Sequence, residues 1–326
     1  MCRVDLARLA SNRWLALGRA GLDLYADPPG TRVDEARAFF PALGGSAANI
    51  AVGISALGGS SGLLTTLSDD AVGRYAFNEL QRFGVATDHV RFVGGNARTS
   101  LAVVATRNDD TQSVIYRNDA ADFQLANADI EAVPFERFGA LIATGTSLAA
   151  EPSREAAFLA ASRAREAGGA VIFDVDYRAY SWQSAAVAAE VCRRFASLSD
   201  IVVGNDEEFA VMAGGSGGET LARAIADGAA VVVYKMGARG SRVFAGERVI
   251  ETGIFPVTPL KPTGAGDAFM AGFATGIALG LDLPACVERG SAAAAIVVTR
   301  VGCAPAMPSA GELDAFLVRH SLSPPS

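Results

Sequence analysis

The chain has 326 residues, of which 50% are hydrophobic, and its formal net charge at pH 7 is −7. A chain of this length buries a full hydrophobic core without disulfides or structural metals. The acidic balance argues against a nucleic-acid-binding protein, which carries a basic surface, but not against a nucleotide, whose phosphates a few backbone N–H groups can hold.

The predicted elements alternate between strand and helix over most of the chain. A short apolar run at residues 14–18 predicts a first buried strand, and Asp23 then lies just beyond its carboxyl end, where ligands bind in open α/β sheets. Helices are predicted at residues 47–57, 70–83, 153–167, 185–195 and 220–227, and strands at residues 62–67, 141–145, 170–175, 201–204 and 230–234. This order predicts an α/β fold whose parallel sheet is covered on both faces.

Residues 99–106 and 112–117 break this alternation, because both are extended and rich in β-branched residues. Asn108, Asp109 and Asp110 between them form a turn cluster, so this segment predicts a β-hairpin outside the main sheet. The hairpin is a candidate lid, and we expect lid elements around residues 23–42 and 99–118 of a single domain that covers residues 1–320. Residues 321–326 have the composition of a disordered tail.

Few residues are available for metal or thiol chemistry. The four cysteines show no C-x-x-C spacing, which predicts reduced thiols in a cytoplasmic protein. With only His89 and His320 in the sequence, a zinc site or a histidine-based triad is nearly excluded. Neither a signal peptide nor an apolar run of ~20 residues is visible, so we expect no membrane partner.

The strongest chemical signal is a glycine-rich turn at residues 262–267, which read Pro-Thr-Gly-Ala-Gly-Asp and precede a helix-compatible run at residues 268–279. Backbone N–H groups at a helix N-terminus lack intrahelical acceptors, and the helix dipole is positive there, so the turn predicts an anion hole for a transferred phosphoryl group. Asp267 falls in the first helical turn, where a carboxylate can accept the proton of an alcohol. The alternative is that Asp267 only stabilises the helix N-terminus, which a lone G-x-G-D favours. No Walker A motif occurs.

A second glycine motif lies at residues 43–51, which read Leu-Gly-Gly-Ser-Ala-Ala-Asn-Ile-Ala. With both motifs at this separation, the chain resembles the ribokinase-like (PfkB) carbohydrate kinases over nearly its whole length. The resemblance implies a Rossmann-like three-layer ribokinase-type fold with a small β-sheet lid, ATP-dependent kinase activity with Mg²⁺, and a homodimer that pairs through the lid.

The resemblance also implies roles for residues that match the family's motifs. Asp267 would be the catalytic base, and the anion hole would be formed by Gly264, Ala265 and Gly266. The sugar hydroxyls would be held by Asp23, Gly44, Gly45 and Asn49. The ATP side would be formed by Asn205, Glu208, Lys235, Gly237, Gly240 and Thr263.

Two of these expectations carry alternatives. Asn205 and Glu208 would lie near Mg²⁺ and phosphate, with Glu208 reaching the metal through water, but the pair also matches a helix capping box, and both roles can coexist. Many members of the family carry an acid and a threonine where this chain has Lys261 and Pro262. In those members the acid often helps to bind an activating potassium ion. Since this chain has a lysine instead, the sequence leaves open whether it has a monovalent cation site.

Segments such as residues 18–25, 173–178 and 203–209 resemble the branch of the family that phosphorylates the C6 hydroxyl of 5-dehydro-2-deoxy-D-gluconate in myo-inositol catabolism. This substrate carries a carboxylate, which a guanidinium binds through paired hydrogen bonds. We expect Arg117, at the end of the hairpin, to bind the carboxylate and Arg178 to lie near the transferred phosphate, with Arg19 as a third candidate. The alternative for each arginine is a local surface ion pair.

Other functions stay open from the sequence. 2-Keto-3-deoxygluconate kinase acts on another deoxy keto acid sugar, whereas the neutral sugar of a fructokinase or ribokinase would leave Arg117 without a purpose. A catalytically silent sugar- or nucleotide-binding regulator is a different class, and Asp267 beside an intact glycine turn argues against it. A Rossmann dehydrogenase would need an early G-x-G-x-x-G, which is absent.

Overall fold

The computed structural model describes residues 6–106, 113–229 and 231–324. The strands in chain order are Arg13–Leu17 (β1), Gly21–Asp27 (β2), Ala38–Gly44 (β3), Ser60–Ser68 (β4), Val90–Val93 (β5), Ser100–Val104 (β6), Ser113–Tyr116 (β7), Ala140–Thr144 (β8), Ala170–Asp174 (β9), Ile201–Asn205 (β10), Val231–Lys235 (β11), Ser241–Ala245 (β12) and Arg248–Thr252 (β13). The α-helices are Ser46–Ala56 (α1), Ala71–Arg82 (α2), Asn127–Glu131 (α3), Ser153–Glu166 (α4), Ala185–Ala196 (α5), Asp206–Met212 (α6), Gly218–Ala226 (α7), Ala265–Ala278 (α8), Leu283–Val298 (α9) and Ala310–Arg319 (α10).

The large sheet is built from predominantly parallel strands in the order β13-β12-β11-β10-β9-β8-β1-β4-β5. The seven neighbouring strands β11-β10-β9-β8-β1-β4-β5 pair in parallel, and β12 and β13 add an antiparallel hairpin at one edge. Successive side chains of a strand point to opposite faces. Trp14 and Ala16 therefore pack beneath α1, α8 and α9, while Leu15 and Leu17 pack beneath α4 and α5 on the other face. The predicted three-layer α/β fold is confirmed.

A second, smaller sheet has the strand order β3-β2-β6-β7. Its strands contain residues from both predicted lid segments, and β6 and β7 form the predicted antiparallel pair. The turn expected at Asn108, Asp109 and Asp110 lies outside the described residues. That this sheet moves as a lid stays a prediction.

The position of Asp23 differs from the expectation. It does not lie just beyond the carboxyl end of the first strand but within β2, where it pairs with Ala42 on one side and Ala102 on the other. The reason is that the chain leaves the large sheet after Leu17 and enters a new strand within four residues. Asp23 therefore reaches the ligand edge from the small sheet.

Helices α8 and α9 approach each other closely because glycines lie at their interface. A Cβ on Gly272 would lie 2.7 Å from the carbonyl oxygen of Arg289, and a Cβ on Gly290 would lie 2.8 Å from that of Phe269. Real Cβ atoms are not found that close to backbone, so the helix pair cannot keep this separation with a larger residue at either position. The packing sets the position of α8, whose first turn contains Asp267.

The chain end and the cysteines complete the description. The N–H group of Ser323, in the predicted tail, donates to the carbonyl oxygen of Ile254 at 2.8 Å; disorder of residues 321–326 stays a prediction.

Cys192, Cys286 and Cys303 are free and buried, and Cys2 lies outside the described residues. Across residues 6–106, 113–229 and 231–324, the helices are too short or too polar to cross a membrane.

We expect Gly272→Ala to destabilise the protein by about 1–3 kcal/mol, because the added methyl group forces α8 and α9 apart. The measurement is the free energy of unfolding from urea titration. Gly311→Ala is the matched control, since a Cβ there meets open space on an exposed helix. That control should leave stability unchanged or raise it by about 1 kcal/mol. Equal stability of the two variants would show that the helix contact is not tight.

Candidate active site

A cleft of about 730 Å³ lies between the two sheets. On one side it is lined by Asp174, Asn205 and Lys235, the last residues of β9, β10 and β11. On the other side it is lined by side chains of the small sheet, including Asp23 and Tyr25 of β2. The carboxyl ends of parallel strands are the usual ligand edge of an open α/β sheet, so the cleft is the candidate active site.

The glycine turn forms one wall of this cleft. Gly264 is the N-cap of α8 and has φ +85°, a left-handed conformation that glycine adopts without strain. The N–H groups of Ala265, Gly266 and Asp267 lie in the first helical turn, where no intrahelical acceptor exists. A Cβ on Gly266 would lie 3.5 Å from Nζ of Lys235, so an ammonium group stands beside these N–H groups. The wall is therefore suited to an anion such as a phosphoryl group.

Asp267 lies in the same turn and is buried, with 9% of its surface exposed. Its Oδ2 accepts a hydrogen bond of 2.8 Å from Nδ2 of Asn49, at the start of α1. Burial, together with the nearby Asp176 carboxyl, raises the pKa of Asp267 to about 6, against the opposing effects of Asn49, Arg178 and Lys235. The carboxyl is thus ionised at neutral pH yet more basic than an exposed aspartate.

Beside Asp267, two buried oxygen atoms form a polar subsite. The Oδ1 atoms of Asp23 and Asn49 have no hydrogen-bond partner among the described residues, although both residues line the cleft. The other Asp23 oxygen, Oδ2, accepts from the hydroxyl of Tyr25 at 3.2 Å, and burial raises the pKa of Asp23. Buried acceptors without donors are costly, so these atoms fit the hydroxyl groups of a ligand.

Gly44 and Gly45 shape this subsite in different ways. A Cβ on Gly44 would lie 2.0 Å from Oδ1 of Asp23, so Gly44 leaves room for that carboxyl without itself lining the cleft. Gly45 lines the cleft, has φ +101°, and could not carry a Cβ because the Arg19 carbonyl oxygen would lie 2.3 Å away. Both glycines are needed for the geometry, but of the two only Gly45 lines the cleft.

The capping box predicted at the start of α6 is confirmed. The N–H of Glu208 donates to Oδ1 of Asn205 at 2.8 Å, and the N–H of Asn205 donates to Oε2 of Glu208 at 2.7 Å. Both residues also line the cleft, so capping fixes side chains that face a ligand. Burial raises the pKa of Glu208, while the neighbouring Lys235 lowers it.

Two further acids, Asp174 and Asp176, were not among the predicted site residues. They line the cleft at the end of β9, and Asp176 lies 2.7 Å from Nη2 of Arg178. Burial raises the pKa of Asp174 well above its usual value. The signal that could have found them is the pair of carboxylates immediately after the apolar strand at residues 170–173.

These carboxylates do not form a metal cage on their own. In the part of the chain that the structure describes, no three histidine, cysteine or carboxylate side chains come together to hold a metal ion. Mg²⁺ commonly keeps several waters and binds through one or two carboxylates and phosphate oxygens. The buried carboxyl groups of Asp174 and Glu208 at the cleft wall fit that mode.

The far end of the cleft combines glycine backbone with apolar side chains. Gly237 and Gly240 have φ +58° and φ +85°, and a Cβ on Gly240 would lie 1.9 Å from the Thr252 carbonyl oxygen. The Oγ1 atom of Thr263 is buried without a hydrogen-bond partner in the described chain. Apolar residues complete this end, namely Ile254, Phe255, Val257, Ala295 and Val298. A slot of this character fits a flat base with a phosphate chain leading toward the glycine turn.

Arg117 is not brought to the cleft, contrary to the expectation that it points there. Its guanidinium forms a buried ion pair with Asp122, donates to the Thr146 carbonyl oxygen at 3.0 Å, and lies 4.0 Å from the ring centroid of Phe123. Its Nη1 also donates to Oγ of Ser181 at 3.0 Å, so both terminal nitrogens are bound within the protein, while Nε is buried without a partner among the described residues. Arg178 does line the cleft, and so does Arg19, the third candidate.

Comparison with known proteins agrees with this geometry. The family model described as "pfkB family carbohydrate kinase" matches residues 12–310. A 5-dehydro-2-deoxygluconokinase of Photobacterium profundum is 38% identical over 310 residues, which cover 93% of this chain and 94% of the relative.

Two solved structures show the same architecture. The fructokinase from Xylella fastidiosa with bound ATP superposes with a TM-score of 0.84 at 26% identity, covering 95% of this chain and 99% of that one. A fructokinase double mutant from Vibrio cholerae O395, in its fructose, ADP and potassium ion bound form, gives a TM-score of 0.84 at 28% identity, covering 94% and 98%. The family model and the relative together show that this chain belongs to the pfkB family of carbohydrate kinases, as its two glycine motifs predicted.

Proposed function

We propose that this carbohydrate kinase transfers the γ-phosphoryl group of ATP to the C6 hydroxyl of 5-dehydro-2-deoxy-D-gluconate, a step of myo-inositol catabolism. The relative from Photobacterium profundum that bears the name of this activity matches nearly the whole chain. Many sugars could bind to the hydroxyl-binding groups of this cleft. The choice of an acidic sugar therefore needs a separate observation in the site itself. Arg19 provides that observation.

Arg19 is a buried cation that faces the cleft, where the negative charge of Asp23 acts on it without forming a direct ion pair. It is 8% exposed, and its Nη1 donates to Oγ of Ser100 at 2.9 Å. No carboxylate oxygen lies within ion-pair distance of Arg19 among the residues that the structure describes. A buried charge is costly unless it is paired, so a substrate carboxylate would complete this site. The role first expected of Arg117 therefore passes to Arg19.

The arrangement around Asp267 supports direct phosphoryl transfer. We infer that Asp267 accepts the proton of the attacking hydroxyl, while Asn49 orients that carboxylate. The remaining Oδ1 atoms of Asn49 and Asp23 would accept hydrogen bonds from other sugar hydroxyls, with Gly45 offering backbone. Phosphoryl transfer needs little covalent chemistry from the protein, so positioning and charge supply most of the catalysis.

The opposite side of the cleft supports ATP as the donor. The N–H groups of Ala265 and Gly266 would bind the transferred phosphoryl group, with Lys235 and Arg178 balancing its charge. Gly237, Gly240 and Thr263 would hold the rest of the nucleotide. Asn205 and Glu208 would hold Mg²⁺ through water, and the ion would neutralise charge on the phosphate oxygens.

The outer face of the small sheet supports a homodimer. Phe39, Val114 and Tyr116 are exposed there, with 58% of Tyr116 accessible. Apolar side chains grouped on one sheet face commonly mark an interaction surface, and we expect light scattering to give twice the mass of one chain. A monomer at micromolar concentration would contradict this.

A cytoplasmic location stays a prediction.

The pH dependence of turnover should report Asp267. Because only the ionised carboxylate accepts a proton and burial raises its pKa to about 6, kcat/KM should fall about tenfold per pH unit below that value. Asp267→Asn should lower kcat by about 100-fold or more at pH 7.5 and remove this acid limb.

The same variant gives a stability control with a defined sign. The folded-state pKa of Asp267 is raised above its unfolded value, so the carboxyl favours folding at low pH and loses that contribution as pH rises through about 6. Asp267→Asn should thus unfold at no lower temperature than the wild type at pH 7.5. Turnover by this variant equal to wild type would remove Asp267 as the base.

Substrate choice is tested by ADP release with a panel of sugars and sugar acids. We expect the highest kcat/KM for 5-dehydro-2-deoxygluconate, with 2-keto-3-deoxygluconate next. Arg19→Met should raise KM for the acid by about 10- to 100-fold, since a charge-assisted pair is lost, and leave KM for ATP nearly unchanged.

Arg117→Met is the contrasting variant for this assay. It leaves the buried Asp122 charge unpaired, so we expect it to lower the free energy of unfolding by about 3–5 kcal/mol rather than to change KM. A preference of the wild type for ribose or fructose would overturn the proposed substrate. An unchanged KM in Arg19→Met would remove Arg19 from the carboxylate site.

A further inference from the structure

Lys261 lies directly behind the glycine turn and is fully buried, with 0% of its surface exposed. Its Nζ donates to the carbonyl oxygen of Thr263 at 2.5 Å and lies 3.5 Å from that of Val297. In the described parts of the chain, no carboxylate oxygen is close enough to form an ion pair with it. The buried ammonium is therefore held by backbone carbonyl oxygens rather than by an acid.

The choice of lysine at this position is unusual for this sequence. Only two of its 28 basic residues are lysines, Lys235 and Lys261, and both lie beside the turn at residues 263–266. Lysine offers a compact point charge, whereas arginine presents a planar fork that needs more room. A compact cation on carbonyl oxygens is also the chemistry of a bound potassium or ammonium ion.

The two carbonyl acceptors connect this ammonium to the anion-binding wall. Thr263 contributes its carbonyl oxygen from the peptide group whose N–H belongs to Gly264. Since the C=O and N–H of a trans peptide point in opposite directions, the bond to Lys261 fixes the Gly264 N–H on the side away from the ammonium. Val297 lies in the last turn of α9, where carbonyl oxygens carry partial negative charge. One cation thus ties the turn to the end of α9.

The electrostatic surroundings explain why a buried positive charge is tolerated there. Burial lowers the pKa of Lys261, and Cys303, Asp267 and Asp23 act in the opposite direction. The two aspartates are the acids proposed as base and sugar ligand, so the ammonium offsets the negative charge that the cleft concentrates. It also stands behind the wall that would receive the transferred phosphoryl group.

We propose that the ammonium of Lys261 is a built-in monovalent cation, which holds the turn at residues 263–266 in its anion-binding form and makes the kinase independent of added potassium. Lys261 is a positioning residue, because its acceptors are backbone atoms and it does not line the cleft. The activity test rests on the proposed kinase function, whereas the stability test below does not.

The test compares chloride salts of choline, Na⁺, K⁺ and NH₄⁺ at equal ionic strength, with ADP release as the readout. We expect the wild type to keep the same kcat within about twofold in all four. Lys261→Ala leaves a space lined by the two carbonyl oxygens, so its kcat should fall about tenfold or more in choline and recover in K⁺ or NH₄⁺. Lys261→Met fills that space without a charge and should stay slow in every salt.

Thermal unfolding without substrates gives a second readout. The Tm of Lys261→Ala should rise by several degrees in K⁺ relative to choline, as expected for an ion that binds only the folded state, while the wild type and Lys261→Met should show no such difference. A wild-type enzyme activated fivefold or more by K⁺ would overturn the proposal, and so would a Lys261→Ala variant that responds no differently to K⁺ and choline. If Lys261→Ala does not fold, the salt dependence of the wild type and of Lys261→Met still decides.

A wild type that turns over none of the sugars would instead contradict the proposed function. The unfolding data would then test the cation proposal separately.

Discussion

The hydrogen bond between Asn49 and Asp267 joins two helix N-termini that lie 218 residues apart in the sequence. Asn49 lies in the first turn of α1, which begins at Ser46 just after the small sheet ends at Gly44, and Asp267 lies in the first turn of α8. The bond is 2.8 Å long and buried, so both side chains have one defined orientation. Because it uses one oxygen of Asp267 and only the amide nitrogen of Asn49, the other polar atoms stay available to a ligand. The polar subsite of Asp23 and Asn49 and the glycine turn of residues 262–267 meet at this pair.

Charge balance is the second constraint on the cleft. Asp174, Asp176, Glu208 and Asp267 gather where burial makes ionisation unfavourable, and the pKa of three of them is raised as a result. Lys235 and Arg178 offset part of this charge within the cleft. An incoming nucleotide brings more negative charge, which the N–H groups of the turn can hold without adding a further side chain. In the proposed function the cations serve different anions, with Lys235 and Arg178 beside the phosphoryl group and Arg19 beside the substrate carboxylate.

Much of this arrangement was accessible from the sequence because its signals are local. Continuous apolar runs located β8 to β11, and the capping residues located the start of α6. The hairpin β12–β13 and helix α9 were not predicted, since charged residues interrupt the apolar pattern of both hairpin strands and α9 is rich in alanine with weak polar alternation. The antiparallel edge and the second helix behind the glycine turn emerge from tertiary packing, which single-sequence patterns do not report.

The roles of the arginines and lysines could not be predicted from the sequence, because the role of a cation depends on the group that it pairs with in the fold. Arg117 has the right residue type at the right end of the hairpin, yet Asp122, five residues later, takes its charge. Arg19 is buried at the cleft wall and Lys261 behind it, each without a direct ion pair among the described residues. A buried cation without an ion pair must be stabilised by hydrogen-bond acceptors or by more distant negative charges. For Lys261 that is a pair of backbone carbonyl oxygens, already present in the protein. For Arg19 it is the Ser100 hydroxyl and the more distant negative charge of Asp23, with no direct ion pair, and this difference underlies the proposal that Arg19, unlike Lys261, pairs with a substrate carboxylate.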